Sequence, residues 1–241
     1  MPKFSIPSKA EVARRALVGL GKLYCGLLFL RHKMEGAENI PPGAKIITPN
    51  HPNSSDVFHL FGMFPGLLSL AQADLFDLPV IGWVFKNTGQ IPVDSRDPEG
   101  KRTAFERACE VLRQGRTLMV FPEGVLTPQG NGRVGTGAVR MSLATGAPIL
   151  PFGLYVRPRD VVHIEMPMKG RGPRVGDWQW RGRLYMQVGR PWFPAQEPPL
   201  GANQPDVQEL TRRLMVRIHE LARMAESLAD GIRVPAPSTS I

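Results

Sequence analysis

Short apolar runs alternate with longer amphipathic ones through most of this chain. Residues 45–49 form the first run, and 67–72, 89–93, 117–121 and 148–155 the next four. Each is strand-sized and bounded by Gly, Pro or polar residues, as expected for strands buried on both faces. Between them the spacing predicts helices from residue 57 onward, over 79–86, over 99–113 and over 136–145. The helix at 99–113 is the best marked: Pro98 precedes it, Ala104, Ala108, Val111 and Leu112 make its apolar stripe, and Gln114-Gly115 stops it. Strand-helix alternation of this kind implies an α/β fold with a mostly parallel central sheet flanked by helices.

The two ends differ from this middle. Residues 8–30 mix Lys9, Arg14, Arg15 and Lys22 with Leu17, Leu20, Leu23, Leu27 and Leu28, then stop at Arg31-His32-Lys33. The apolar part falls short of the roughly 20 residues that a spanning helix needs. A basic, leucine-rich amphipathic helix fits the membrane interface; a helix packed on the core and a secretory signal are the competing readings, the latter without a nearby cleavage site. Residues 35–43 read as a turn-rich connector. Beyond Arg157, residues 161–166 and 183–188 alternate like strands, with a Gly-, Arg- and Trp-containing segment between them. A last helix over about 205–229 carries Leu210, Leu214, Ile218 and Leu221 on one side, and the Pro/Ser-rich end reads as a loose tail.

Composition narrows the partners. The 241 residues suit one large domain or two small ones, and a 42% hydrophobic share is enough for a core. The formal net charge of +9 asks for an anionic partner: lipid surface, phosphorylated substrate or nucleic acid. Cys25 and Cys109 make no disulfide framework and have no metal-ligand spacing.

Candidate chemistry gathers in the polar turns that follow the strands. Asn50-His51-Pro52-Asn53-Ser54-Ser55-Asp56 leaves the first, Asp94-Ser95-Arg96 the third and Pro122-Glu123-Gly124 the fourth, while Pro148 to Pro151 lies within the fifth. Strand exits of a parallel sheet collect at one edge, where such folds place their sites. A carboxylate five residues after an imidazole can fix its tautomer and steady its protonated form; the plainer reading makes Asp56 a helix-start residue and His51 a turn residue. Gly130-Asn131-Gly132-Arg133-Val134-Gly135 matches a dinucleotide fingerprint in letters only, since the preceding strand ends near Phe121. His59 reads as a packed histidine, not a metal ligand. No nucleophile elbow, phosphate-binding loop or zinc-protease motif is present.

In order and content, four blocks resemble those of the glycerolipid acyltransferases, above all the 1-acylglycerol-3-phosphate (lysophosphatidic acid) acyltransferases. Asn50, His51 and Asp56 match the first block, residues 89–96 ending in Arg96 the second, Phe121-Pro122-Glu123-Gly124 half of the third, and Ala147 to Pro151 the fourth. The resemblance spans residues 35–155. It implies a glycerol-3-phosphate acyltransferase-like sheet; with the two ends read from their own composition, the expected division is a membrane-interface helix over 1–33, an acyltransferase domain over 34–230 and a flexible tail over 231–241. It also implies His51 as general base and Asp56 as its orienter. Asn50, Arg96, Phe121, Pro122, Glu123 and Gly124 would bind substrate, with Arg96 on an acceptor phosphate.

Two departures bear on the acceptor. The third-block arginine of the family falls at Leu126, and a lysine often found further on falls at Thr136. Arg133 and Arg140 are the nearby replacements. The implied activity moves a fatty acyl group from acyl-CoA or acyl carrier protein to a lipid hydroxyl, with no metal or other cofactor and no nucleic acid. Its place is the cytoplasmic face of a membrane. The acceptor is expected to be 1-acylglycerol-3-phosphate; another lysolipid or a glycolipid is the alternative. Rivals from other classes are a thioester hydrolase and a non-catalytic lipid- or nucleic-acid-binding protein, for which Arg171, Arg174, Trp178, Trp180, Arg181 and Arg183 come nearest to a basic-aromatic patch.

Overall fold

A computed structural model of the chain describes residues 8–28, 30–94, 96–124, 134–168, 171–197 and 206–232, with the backbone alone for 166–168 and 171–175. In chain order the elements are α1 (Lys9–Leu27), β1 (Arg31–Glu35), β2 (Lys45–Pro49), α2 (Asp56–Met63), β3 (Leu68–Gln72), α3 (Pro79–Thr88), β4 (Ile91–Val93), α4 (Pro98–Arg113) and β5 (Thr117–Met119). They continue with α5 (Gly137–Thr145), β6 (Ile149–Val156), β7 (Val161–Met168), β8 (Arg171–Gln179), β9 (Arg183–Val188) and α6 (Val207–Ala229).

Seven strands form one sheet in the order β1-β9-β6-β2-β5-β3-β4. The five from β6 to β4 are parallel; β9 joins β6 antiparallel, and β1 lies parallel to β9 at the edge. The sheet is therefore mostly parallel, as the alternation implies. Successive β2 residues point to opposite faces. Ile46 meets Ala108, Leu112, Val139 and Leu214 on the α4–α5–α6 side. Ile47 meets Leu17, Leu60 and Val84 on the α1–α2–α3 side.

Local chemistry fixes several boundaries. Asp97 caps α4 by accepting the amides of Glu99 and Gly100, each at 3.0 Å, and Pro98 takes the first helical position. Ser8 caps α1. Two glycines permit close helix contacts: a Cβ on Gly21 would lie 2.4 Å from the Phe58 carbonyl oxygen, and one on Gly153 would lie 2.0 Å from the Leu221 carbonyl carbon. The first lets α1 press on α2; the second lets α6 lie directly on β6.

Two strands depart from the sequence reading. Arg31–Glu35, expected to end the N-terminal helix and open a connector, forms β1, so a boundary at residue 33 falls inside a strand. Arg171–Gln179 pairs with β7 as an antiparallel two-stranded ribbon outside the main sheet. The expected tail lies outside the described residues from 233 onward.

Candidate active site

The site begins where β2 runs out. Asn50 leaves the strand and turns its amide onto β6: Nδ2 donates to the Leu154 carbonyl at 3.0 Å, and Oδ1 accepts the Leu154 amide at 2.7 Å. The side chain acts as a substitute strand residue and pins the start of the turn. Asn50, expected to bind substrate, holds the β6 backbone with its amide in this structure.

The turn then folds back on itself. Ser55 donates its amide to Asn53 Oδ1 at 2.8 Å, and the Asn53 amide donates to Asp56 Oδ2 at 3.2 Å. Asp56 opens α2 and is fully buried. The His51 ring faces it, with Nδ1 3.3 Å from Asp56 Oδ2. A carboxylate only accepts, so Nδ1–H donates and Nε2 keeps its lone pair. Phe121 lies against the ring, centroids 3.9 Å apart and planes 24° from parallel. Burial pushes the Asp56 carboxyl up from its ordinary value, while His51 and Asn53 pull it back by hydrogen bonding to the ionised form.

The fourth predicted turn arrives beside this pair. After β5 the chain closes through Phe121-Pro122-Glu123-Gly124, the Gly124 amide donating to the Phe121 carbonyl at 3.0 Å. Gly124 adopts φ +67°, the left-handed region that glycine enters without strain. Pro122 is buried and its carbonyl accepts the Gly135 amide at 2.7 Å. Glu123 is buried as well, with Oε1 3.7 Å from His219 Nε2 on α6. Burial raises its carboxyl above the usual range; the rings of His219 and His51 and the His51 amide act against that rise.

The expected cations sit apart from these contacts. Arg96 is exposed and forks onto Asp94, with Nε–Oδ1 and Nη2–Oδ2 each at 3.2 Å. Arg140 is exposed on α5 and covers the Phe105 ring at 5.1 Å. Arg133 and Leu126 lie outside the described residues.

Three contributors carry no local sequence signal. Ser55 Oγ accepts the Gln179 amide at 2.8 Å and lies 2.6 Å from the Tyr24 hydroxyl, which also donates to the Gln179 carbonyl. The Ser54 amide donates to the Asp177 carbonyl at 2.7 Å. The β7–β8 ribbon and α1 therefore grip the His51–Asp56 turn from outside. His59 is buried within this network, Nε2 donating to Gln179 Oε1 at 2.9 Å and Nδ1 3.5 Å from Cys25 Sγ. Its burial pushes the imidazole down to about 4, so it is a neutral packed histidine. The third contributor is His219. Only their position across many residues brings these groups together.

Fold and site define an α/β protein that carries an imidazole-carboxylate pair and a buried glutamate at the exits of parallel strands. Residues 31–155 match the protein-family model described as Acyltransferase, and the chain belongs to that family. A chloroplastic 1-acyl-sn-glycerol-3-phosphate acyltransferase of Arabidopsis thaliana is 28% identical over 131 residues, 52% of this chain and 36% of that protein. This chain thus spans little more than a third of that relative's length. A 1-acyl-sn-glycerol-3-phosphate acyltransferase of Pseudomonas aeruginosa is 28% identical over 215 residues, covering 87% of this chain and 76% of its own. The crystal structure of the 1-acyl-sn-glycerophosphate (LPA) acyltransferase PlsC from Thermotoga maritima shares the fold, with a TM-score of 0.67 at 22% identity over 93% of this chain and 84% of that one.

Proposed function

We propose that this protein is an O-acyltransferase that moves a fatty acyl group from acyl-CoA or acyl carrier protein to the hydroxyl of 1-acylglycerol-3-phosphate, giving phosphatidic acid. The observation that carries this is the buried Asp56 carboxylate accepting from His51 Nδ1. With Nδ1–H so engaged, Nε2 takes the proton of the acceptor hydroxyl as its oxygen attacks the thioester carbonyl. The C–O bond forms, the tetrahedral adduct collapses, and the C–S bond breaks. The departing thiolate takes the proton back from the His51 imidazolium. No acyl-enzyme is required.

The acceptor follows from the relatives' names and from the family blocks, while Arg96 pairs with Asp94. That pairing favours, as the second reading, a lysolipid or glycolipid whose head group does not call on Arg96.

Membrane association is part of the same proposal. Among the described residues no helix is long and apolar enough to cross a membrane. On α1 the exposed Val12, Leu23 and Leu27 fall on one side at helical spacing, and Val80 and Trp83 are exposed on the neighbouring α3. Lys9 and Lys22 stand among them. Such a surface supports docking at the lipid interface, with ammonium groups at phosphate depth and indole at the boundary; the face proposed is the cytoplasmic one, where the donor is made.

The test is incubation with labelled acyl-CoA or acyl carrier protein and a panel of lysolipids, with products identified by mass. His51→Ala is expected to fold and to lose about 100- to 10,000-fold in turnover. Near-normal turnover in that variant would sink the mechanism, and thiol release without any lipid product would point to hydrolysis.

A further inference from the structure

The Glu123–His219 contact joins the site to a helix that lies beyond the residues matching the family model. His219 stands on the flank of α6 beside buried Ile218 and Met215, one face of its ring partly open to solvent. Its Nε2 is nevertheless buried and, among the described residues, has no hydrogen-bond partner; Glu123 Oε1 stands 3.7 Å from it. Glu123 Oε2 is also buried without a partner. A leucine would fill the same flank, so packing alone does not ask for an imidazole there. A buried carboxylate does ask for a donor, because burial without one is costly.

We infer that His219 is a positioning residue that holds the Glu123 carboxylate against the back of the His51 turn and thereby sets the affinity for the acyl acceptor. The effect on substrate rests on the O-acyltransferase reading; the contact itself does not. Among the described residues, Glu123 is faced by the His51 ring and amide at the exit of β2 and by the His219 ring on α6. The His51 ring is committed to Asp56 through Nδ1, which leaves the His219 ring as the side-chain donor able to orient Glu123 alongside the His51 amide. The short step that brings 3.7 Å into hydrogen-bonding range is a rotation of the Glu123 carboxylate or of the His219 ring. Glu123 belongs to the block read as substrate-binding, and the Nδ1–Asp56 contact that orients the His51 ring does not involve it, so a displaced carboxylate is expected to disturb acceptor placement more than proton transfer.

The experiment compares the full-length wild type with His219→Leu and His219→Gln. Glutamine keeps an N–H donor near the position of Nε2; leucine keeps the packing and removes the donor. With acyl-CoA and 1-acylglycerol-3-phosphate, His219→Leu is expected to raise the acceptor KM about tenfold, to leave kcat within about threefold, and not to move the donor KM. His219→Gln is expected to restore the acceptor KM. An unchanged acceptor KM in the leucine variant, or failure of glutamine to restore it, overturns the inference. If the leucine variant does not fold, His219→Asn, which is polar but too short to reach Glu123, is read in its place.

A second measurement does not depend on turnover. Carbon NMR of labelled glutamate carboxyls follows the Glu123 titration, which is expected to move to higher pH when His219 is replaced by leucine. No movement overturns the inference. If the wild type transfers no acyl group to any lysolipid, the enzymatic reading fails, and the titration alone decides whether His219 holds Glu123.

Discussion

The imidazole of His51 lies nearly flat on the ring of Phe121, with centroids 3.9 Å apart and planes inclined by 24°. One residue leaves β2 and the other follows β5, and these are neighbouring parallel strands. The sheet therefore sets two edges of the imidazole: Asp56 holds Nδ1 and Phe121 covers a face. The ring is left one direction in which to meet a substrate, through Nε2. Phe121→Ala removes the face contact while leaving Asp56 in place. Activity is expected to fall about tenfold through kcat, in line with a lost ring contact of about 1 kcal/mol. Steady-state kinetics check this; an unchanged kcat would show that Asp56 alone orients the ring.

Asp56→Asn separates chemistry from stability. Asparagine has nearly the same shape, but its amide offers His51 a donor where the carboxylate only accepted, favouring the wrong tautomer. Turnover is expected to drop by at least about 100-fold. The same change removes a buried charge whose Oδ1 has no partner among the described residues, so thermal stability should hold or rise. A variant that is both inactive and markedly less stable would make Asp56 a folding residue first.

Acid pH should divide these two properties in the wild type. Burial raises the carboxyls of both Asp56 and Glu123 above their ordinary values. In that window the folded state binds more protons than the unfolded state, so these groups contribute stability at low pH that is lost as pH rises through the raised values. Activity runs the other way, because orientation of His51 needs ionised Asp56. The acid limb of the rate profile should therefore lie above the normal carboxylate range. Melting curves recorded across the same window should decline with pH less steeply in Asp56→Asn than in the wild type. Parallel slopes would contradict the burial effect.

Much of this site was legible because it is local. The His51–Asp56 turn and the Phe121–Gly124 turn each lie within a few residues and each follow a short, mostly apolar strand, so periodicity and spacing locate them. What is lost is what depends on distant partners. β1 reads as charged, Arg-His-Lys-Met-Glu, because it is a sheet edge with three exposed residues, and its strand character comes from β9, some 150 positions on. Asn50 looks like a polar site residue until Leu154 of β6 is seen to occupy its amide. Arg96 reads as a free cation, and its pairing with Asp94 is visible only in the structure. His219 flanks an ordinary amphipathic helix, and only the packing of α6 across Gly153 carries it to Glu123.

The outward side of α1 gives the prediction that separates membrane binding from catalysis. Leu27 is 69% exposed and Leu23 56%, whereas Ala13, Leu17 and Gly21 of the same helix are buried. Replacing both leucines with serine removes apolar surface from the solvent side and leaves the face packed on α2 and α3 intact, so folding should be unaffected. Binding to vesicles containing anionic lipid is expected to weaken by at least about tenfold, since each buried leucine is worth roughly 1.5–3 kcal/mol. Activity on substrate dispersed in detergent should stay close to that of the wild type, and activity on vesicle-borne substrate should fall with binding. Raising the salt concentration should weaken what binding remains, because Lys9 and Lys22 then carry more of it. Flotation of wild type and double variant with the same vesicles decides the matter: equal flotation would remove α1 from the interface and leave it a helix of the core.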